Sequence, residues 1–148
     1  MIPNIVHIKK EQLDASFLEN LHSTTFDFYK SGDDFRVDGG YAVQEQDGNL
    51  SGYVLYREIS NKVIDLAYGA SDKDYKGFRS VKNLNYFIEL MFQKYEVITT
   101  MVWNKNYKML KIYMALGFDV VGTKLSHKGG LFVLLEKEVK KEIKDGCS

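Results

Sequence analysis

Three groups of residues have types and spacing that could do chemistry. The first is the polar loop Gly69 to Arg79 with the helix start at Ser80. A loop running from a strand into a helix delivers backbone N–H groups and the positive end of the helix dipole. Lys76 and Arg79 add charge, so a phosphate or pyrophosphate would fit there. A Lys and an Arg at a helix start also serve solubility alone. The second group is Asn106 and Tyr113, in a stretch that passes from a strand through a turn into a helix, Val97 to Phe118 (VITTMVWNKNYKMLKIYMALGF). The third is a set of candidate bases, Glu58 and Asp65, with His127 or a water-mediated route behind them. A base must come within hydrogen-bond reach of the proton it takes, directly or through one water. Taken singly, each carboxylate reads more simply as a solvated strand residue.

The elements that must position these groups follow from periodicity. Ile5, Val6 and Ile8 suggest a first strand, with His7 pointing the other way. Leu13, Phe17, Leu18 and Leu21 give one helical face over Glu11 to Leu21, and Thr24 to Lys30 suggests a second short helix. Ser31 to Gly40 (SGDDFRVDGG) is polar and Gly-rich and reads as a loop. Tyr41 to Gln46 and Leu50 to Ile59 form a hairpin across Asp47-Gly48-Asn49, and Val63 to Tyr68 adds a third meander strand. Val81, Leu84, Ile88, Met91, Phe92 and Tyr95 recur at helical spacing, with Ser80 as N-cap. Val97 to Trp103 is the next strand. A helix follows, ending at Gly117 in the left-handed region. Phe118 to Lys124 and Leu131 to Glu138 close the chain as a hairpin. The fold class is therefore α/β, a mixed sheet. The helix joining Val63–Tyr68 to Val97–Trp103 makes those two strands a parallel pair.

Composition bounds the rest. A chain of 148 residues suits one domain, 1–148, with residues 139–148 as a charged tail. Lys+Arg and Asp+Glu are 20 each, so charge argues neither for nucleic acid nor for an anionic membrane surface. No apolar run approaches the roughly 20 residues of a membrane helix. MIPNIVHIKK lacks the long apolar segment of a signal peptide, and a cytoplasmic setting is expected. The single Cys147 excludes a disulfide framework or Cys-based metal site within one chain, and no metal is expected.

Asn106, Tyr113, Leu116, Gly117 and Phe118 spell N-x6-Y-x2-L-G-F after a strand. This resembles the GCN5-related N-acetyltransferase (GNAT) superfamily, whose last conserved helix commonly reads N-x-x-A-x-x-x-Y-x-x-L-G-F. The strand order matches that superfamily along nearly the whole chain. The resemblance implies helices on both faces of the sheet and an acetyl-CoA held where the parallel strands splay. It implies pantetheine against the backbone of Leu66, Ala67 and Tyr68. Pyrophosphate would lie on Lys76, Gly77, Phe78, Arg79 and Ser80, and Asn106 beside the cofactor. Tyr113 becomes the general acid: a phenol of pKa about 10 can give a proton to the departing thiolate. An amine acceptor is implied, entering between the Thr24–Gly40 segment and the hairpin near His127. Phe26, Tyr29 and Phe35 would line that entrance, and Asp33, Asp34 and Asp38 give it negative charge. Many members dimerise, so a homodimer is a further expectation.

The chain also departs from the superfamily. The phosphate loop there usually reads Q/R-x-x-G-x-G/A. Here only Gly77 remains, and Arg79 falls about where a second glycine is expected. Arg79 would either obstruct a pyrophosphate or grip it from outside. This loop with its W-N…LGF half also resembles small GNAT-like phage proteins of heads and internal virion components. That resemblance implies a fold kept for assembly or interaction without acyl transfer.

Overall fold

The computed structural model describes residues 2–13, 37–71, 75–126 and 129–139. Its strands are β1 (Asn4–Lys9), β2 (Gly39–Gln44), β3 (Leu50–Glu58), β4 (Val63–Ser71), β5 (Val97–Trp103), β6 (Asp119–Leu125) and β7 (Leu131–Glu138). Two α-helices are described, α1 (Val81–Phe92) and α2 (Tyr107–Ala115). The expected helix beyond Leu13, the short helix Thr24–Lys30, most of the loop Ser31–Gly40 and the tail after Val139 lie outside the described residues. So do Phe26, Tyr29, Phe35, Asp33, Asp34 and His127.

The strands make one mixed sheet in the order β1-β2-β3-β4-β5-β7-β6. Only β4 and β5 run parallel; the other neighbours are antiparallel. The parallel pair is the one joined through α1, as a crossover of that length requires. Local chemistry sets the boundaries. Asp47 accepts from the Asn49 amide at 2.9 Å, and Gly48 takes a φ of 87°, so the β2–β3 turn closes as expected. Ser80 Oγ accepts from the Asn83 amide at 3.3 Å and starts α1. Gly117, at φ 92°, stops α2.

Leu84, Phe87, Ile88 and Met91 form the buried stripe of α1. They pack with Ile112 and Tyr113 of α2 against Tyr41, Val54, Ile64, Leu66, Ile98 and Leu135 of the sheet. Fully burying such an apolar side chain is worth about 1.5–3 kcal/mol, so this face of α1 anchors the crossover. A smaller cluster on β3 and β4, built on Val37 and Leu55 with Leu13, Tyr53 and Tyr68, marks a second apolar region.

Candidate active site

The parallel pair does not run its full length. Val63, Ile64, Asp65 and Leu66 pair with Val97, Ile98, Thr99 and Thr100, and there the pairing stops. Among the described residues, β4 continues to Ser71 on β3 alone, and β5 continues to Trp103 on β7 alone. The two strands therefore open into a V. A bulge lies at the same point: Leu55 pairs with Tyr68 and Tyr56 with Leu66, so Ala67 is an extra residue on β4. Bulges bend and twist a strand, which turns the end of β4 away from β5. On the opening side, the β4–β5 ladder has no rung beyond Leu66 and Thr100. A ligand with amide groups can pair there as a missing strand would.

Thr100 closes the apex. Its hydroxyl is buried and donates to the Leu66 carbonyl at 3.1 Å. It also hydrogen-bonds the Tyr113 phenol. Tyr113 is 6% exposed and meets Phe118 edge-on at 5.0 Å between ring centres. Burial pushes its phenol up to about 12, and the Thr100 contact opposes that rise. Tyr113 is thus a core residue of α2 whose polar end reaches the apex of the V. Thr100 was not singled out from the sequence. A polar residue on the inward face of an otherwise apolar strand was the available signal.

Asp65 lies one residue before the last rung. It accepts from Thr99 Oγ1 at 2.7 Å, and Arg57 Nε stands 3.7 Å from its other oxygen. The Arg57 guanidinium also lies over the Tyr68 ring, 5.9 Å from its centre. Glu58 is differently placed. It pairs with Ile64 near the start of β4, at the closed end of the V, and accepts from the Tyr95 phenol at 2.5 Å. Burial, then that bond, raises the Tyr95 phenol well above its ordinary value. The register puts the two carboxylates on adjacent rungs, Arg57–Asp65 and Glu58–Ile64, and therefore on opposite faces of the sheet. Asp38 accepts from the Glu58 amide at 2.7 Å, which holds it beside Glu58.

The loop before α1 is a 3-10 turn, Gly77–Arg79. Gly77 has a φ of 52°, and a Cβ there would lie 2.8 Å from both Gly52 Cα and Ser51 O. Its lack of a side chain is thus used to seat the turn on β3. Asn83 Nδ2 donates to the Gly77 carbonyl at 3.0 Å, and an Arg79 terminal nitrogen donates to the Tyr75 carbonyl at 2.7 Å. Tyr75 in turn donates to Asp47 at 2.5 Å, and this bond, with the Asn49 amide, holds the Asp47 carboxyl below its usual range. Lys76 is exposed, and Phe78 is buried against Phe87. Asn106 is the N-cap of α2: its side-chain oxygen accepts from the Met109 amide at 3.3 Å. Among the described residues no cluster of His, Cys, Asp or Glu could hold a metal.

No family model matches the chain, and no curated protein matches its sequence. Solved structures do match. The ribosomal-protein-S18-alanine N-acetyltransferase of Escherichia coli aligns over 97% of this chain and 98% of its own, with a TM-score of 0.68 and 14% identity. A GNAT family acetyltransferase of Elizabethkingia anophelis, solved with acetyl-CoA bound, aligns over 93% and 98%, with a TM-score of 0.62 and 8% identity. This chain has the GNAT fold. The ribosomal-protein-S5-alanine acetyltransferase of Vibrio fischeri matches at 22% identity and a TM-score of 0.58, over 68% of this chain. The chain spans 61% of the length of that enzyme. The V between β4 and β5, the bulge at Ala67 and the capped start of α1 are thus features of a chain with the GNAT fold.

Proposed function

We propose that the chain is an acyl-CoA-dependent N-acyltransferase that passes an acetyl group from acetyl-CoA to an amine acceptor by direct attack. The opening of β4 from β5 after Leu66 and Thr100 carries this reading. It leaves β4 without β5 beside it past Leu66, next to a capped helix start, which suits a ligand with amides at one end and phosphates at the other. Acetyl-CoA supplies the activated thioester. The backbone of Leu66, Ala67 and Tyr68 holds its pantetheine arm. The turn from Lys76 to Ser80 receives the pyrophosphate, with the Lys76 ammonium and the α1 N–H groups as positive ends. Asn106 acts mainly by fixing the start of α2, and so the position of Tyr113.

In the transfer the neutral amine attacks the carbonyl carbon, the carbon–sulfur bond breaks and the amine loses a proton. Tyr113 gives its proton to the departing sulfur; a phenol with a pKa of about 12 is fully protonated at neutral pH. Asp65 is the better base of the two carboxylates, because it adjoins the apex and Thr99 fixes one of its oxygens. The rest of the rate comes from holding amine and thioester together.

A second reading has its own support. Gly77 is spent on contact with Gly52, and Arg79 folds onto the Tyr75 carbonyl. Both give the loop a structural task that a non-catalytic interaction or phage-assembly protein would share. Calorimetric titration with acetyl-CoA separates the two readings: saturable binding is expected, and none at millimolar ligand would remove the enzyme. Repeating the titration with Arg79→Gly assigns the arginine. Weaker binding makes it a phosphate ligand, and tighter binding makes it an obstruction.

A further inference from the structure

The alternation of side chains along β4 and β5 gives the two faces of the sheet different equipment. Leu66 and Thr100 share the last rung of the parallel pair and face α1 and α2, where Thr100 meets Tyr113. Asp65 and Thr99 share the rung before it and therefore point to the opposite face. Arg57 stands directly across from Asp65 on β3, on that same face. Followed across the strands, the row reads Arg57, Asp65, Thr99, Glu136 and Asp119, so it runs from a cation at its β3 end to carboxylates. Arg57 is held in place with its donors unspent. Its Nε is buried and makes no hydrogen bond among the described residues, and the 3.7 Å to Asp65 Oδ2 is an ion pair too long to be one. The Tyr68 ring, 5.9 Å from the guanidinium, orients the plane of the fork. Thr99 holds Asp65 Oδ1, which leaves Oδ2 on the Arg57 side. The two side chains are still 37% and 23% exposed, so a small solute can reach both.

We propose, resting on the acyltransferase reading above, that the acceptor is a free α-amino acid, with Arg57 binding its carboxylate and Asp65 its ammonium. A planar guanidinium binds a carboxylate through two parallel hydrogen bonds, and its preset plane lowers the cost of forming them. The two charges of an α-amino acid sit on one carbon, so they lie close together, as the charges of the Arg57–Asp65 pair do. At Asp65 the ammonium loses its proton, one rung from the apex where Tyr113 and Thr100 meet on the other face. Amine and thioester thus approach the apex from opposite faces of the sheet. Arg57 is a specificity-determining residue in this arrangement and takes no part in the proton transfers. An amine without a carboxylate gives Arg57 nothing to bind and is repelled by its charge. A peptide N-terminus lacks the α-carboxylate and meets the same obstacle.

The test uses the full chain at saturating acetyl-CoA and matched pairs of acceptors, each an amino acid and the amine left when its carboxylate is removed. Alanine with ethylamine, phenylalanine with phenethylamine, histidine with histamine and lysine with cadaverine are suitable pairs, and thiol release gives kcat/KM. At least one amino acid is expected to exceed its amine. Arg57→Gln should shrink that ratio by about tenfold or more, through a raised KM for the amino acid. Comparing ratios between wild type and variant cancels the different basicities of the paired amines. A variant that slows both members alike and leaves the ratio unchanged overturns the proposal, as do amines that match or exceed every amino acid. Arg57→Lys, which keeps the charge without the fork, should also shrink the ratio and replaces the glutamine variant if circular dichroism shows that one unfolded. Calorimetric titration with acetyl-CoA separates the two readings. No binding overturns the acyltransferase reading and this proposal with it. Binding without transfer to any of these acceptors, or with transfer to a peptide N-terminus alone, overturns this proposal by itself.

Discussion

Replacing Gly77 by alanine tests why the phosphate loop keeps this one glycine. Two costs add at the site. A φ of 52° is left-handed, which costs a residue with a Cβ about 1–2 kcal/mol. The new Cβ would also stand 2.8 Å from Gly52 Cα and from Ser51 O. Both are backbone atoms of β3 and cannot swing aside, so overpacking adds about 1–3 kcal/mol. Gly77→Ala should therefore lose about 2–5 kcal/mol in a urea melt. Gly129 provides the control, with a φ of 85° and nothing within 4 Å of its Cβ position. Gly129→Ala should lose only the conformational part, about 1–2 kcal/mol. Equal losses in the two variants would refute the contact with β3 as the reason for the glycine.

Tyr113→Phe should lower acetyl transfer by roughly 10²–10⁴-fold while leaving acetyl-CoA affinity nearly intact, as read by steady-state rates beside calorimetry. Unchanged turnover would remove Tyr113 as the acid. Thr99→Val deprives Asp65 of a hydrogen bond at 2.7 Å and should cost about 1–2 kcal/mol in urea unfolding; no loss would mean that water replaces the hydroxyl. Burial, with Lys94 and Lys9 behind it, lowers the pKa of His7, which bonds the Tyr56 hydroxyl at 2.9 Å and stacks on Tyr41. A depressed histidine means the unfolded chain binds the extra proton first. Stability should therefore be full above the ordinary value of about 6.5 and decline as pH falls below it toward the folded-state pKa. That slope should flatten in His7→Phe, and an identical pH profile in the two proteins would exclude the histidine.

The order of the described strands and α-helices, the hairpin at Gly48, the cap at Ser80, the stop at Gly117 and the parallel pair were all legible in the sequence. Each depends on periodicity or on the chemistry of a few adjacent residues. The features that shape the cleft were not legible. The end of pairing at Leu66 and Thr100 and the bulge at Ala67 are matters of register between strands distant in sequence. The same holds for Gly77 against Gly52, whose glycine looked like a remnant of a phosphate motif until the contact with β3 appeared. Glu58 and Asp65 could not be told apart by residue type. Pairing separates them by sheet face, on adjacent rungs, with Glu58 tied to Tyr95 and Asp65 tied to Thr99. Asn106 was read for the cofactor, and its observed bond is a helix cap, a role its type and position before Tyr107 also suit.

Hydrogen–deuterium exchange with and without acetyl-CoA tests the proposed cleft most directly. Amides of residues 67–71 on β4 and of residues 76–82 at the start of α1 should slow together when the ligand is added. The outer edge of β1, at the far side of the sheet, should not change. Unaltered exchange in both segments at millimolar acetyl-CoA would contradict a cofactor cleft between β4 and β5.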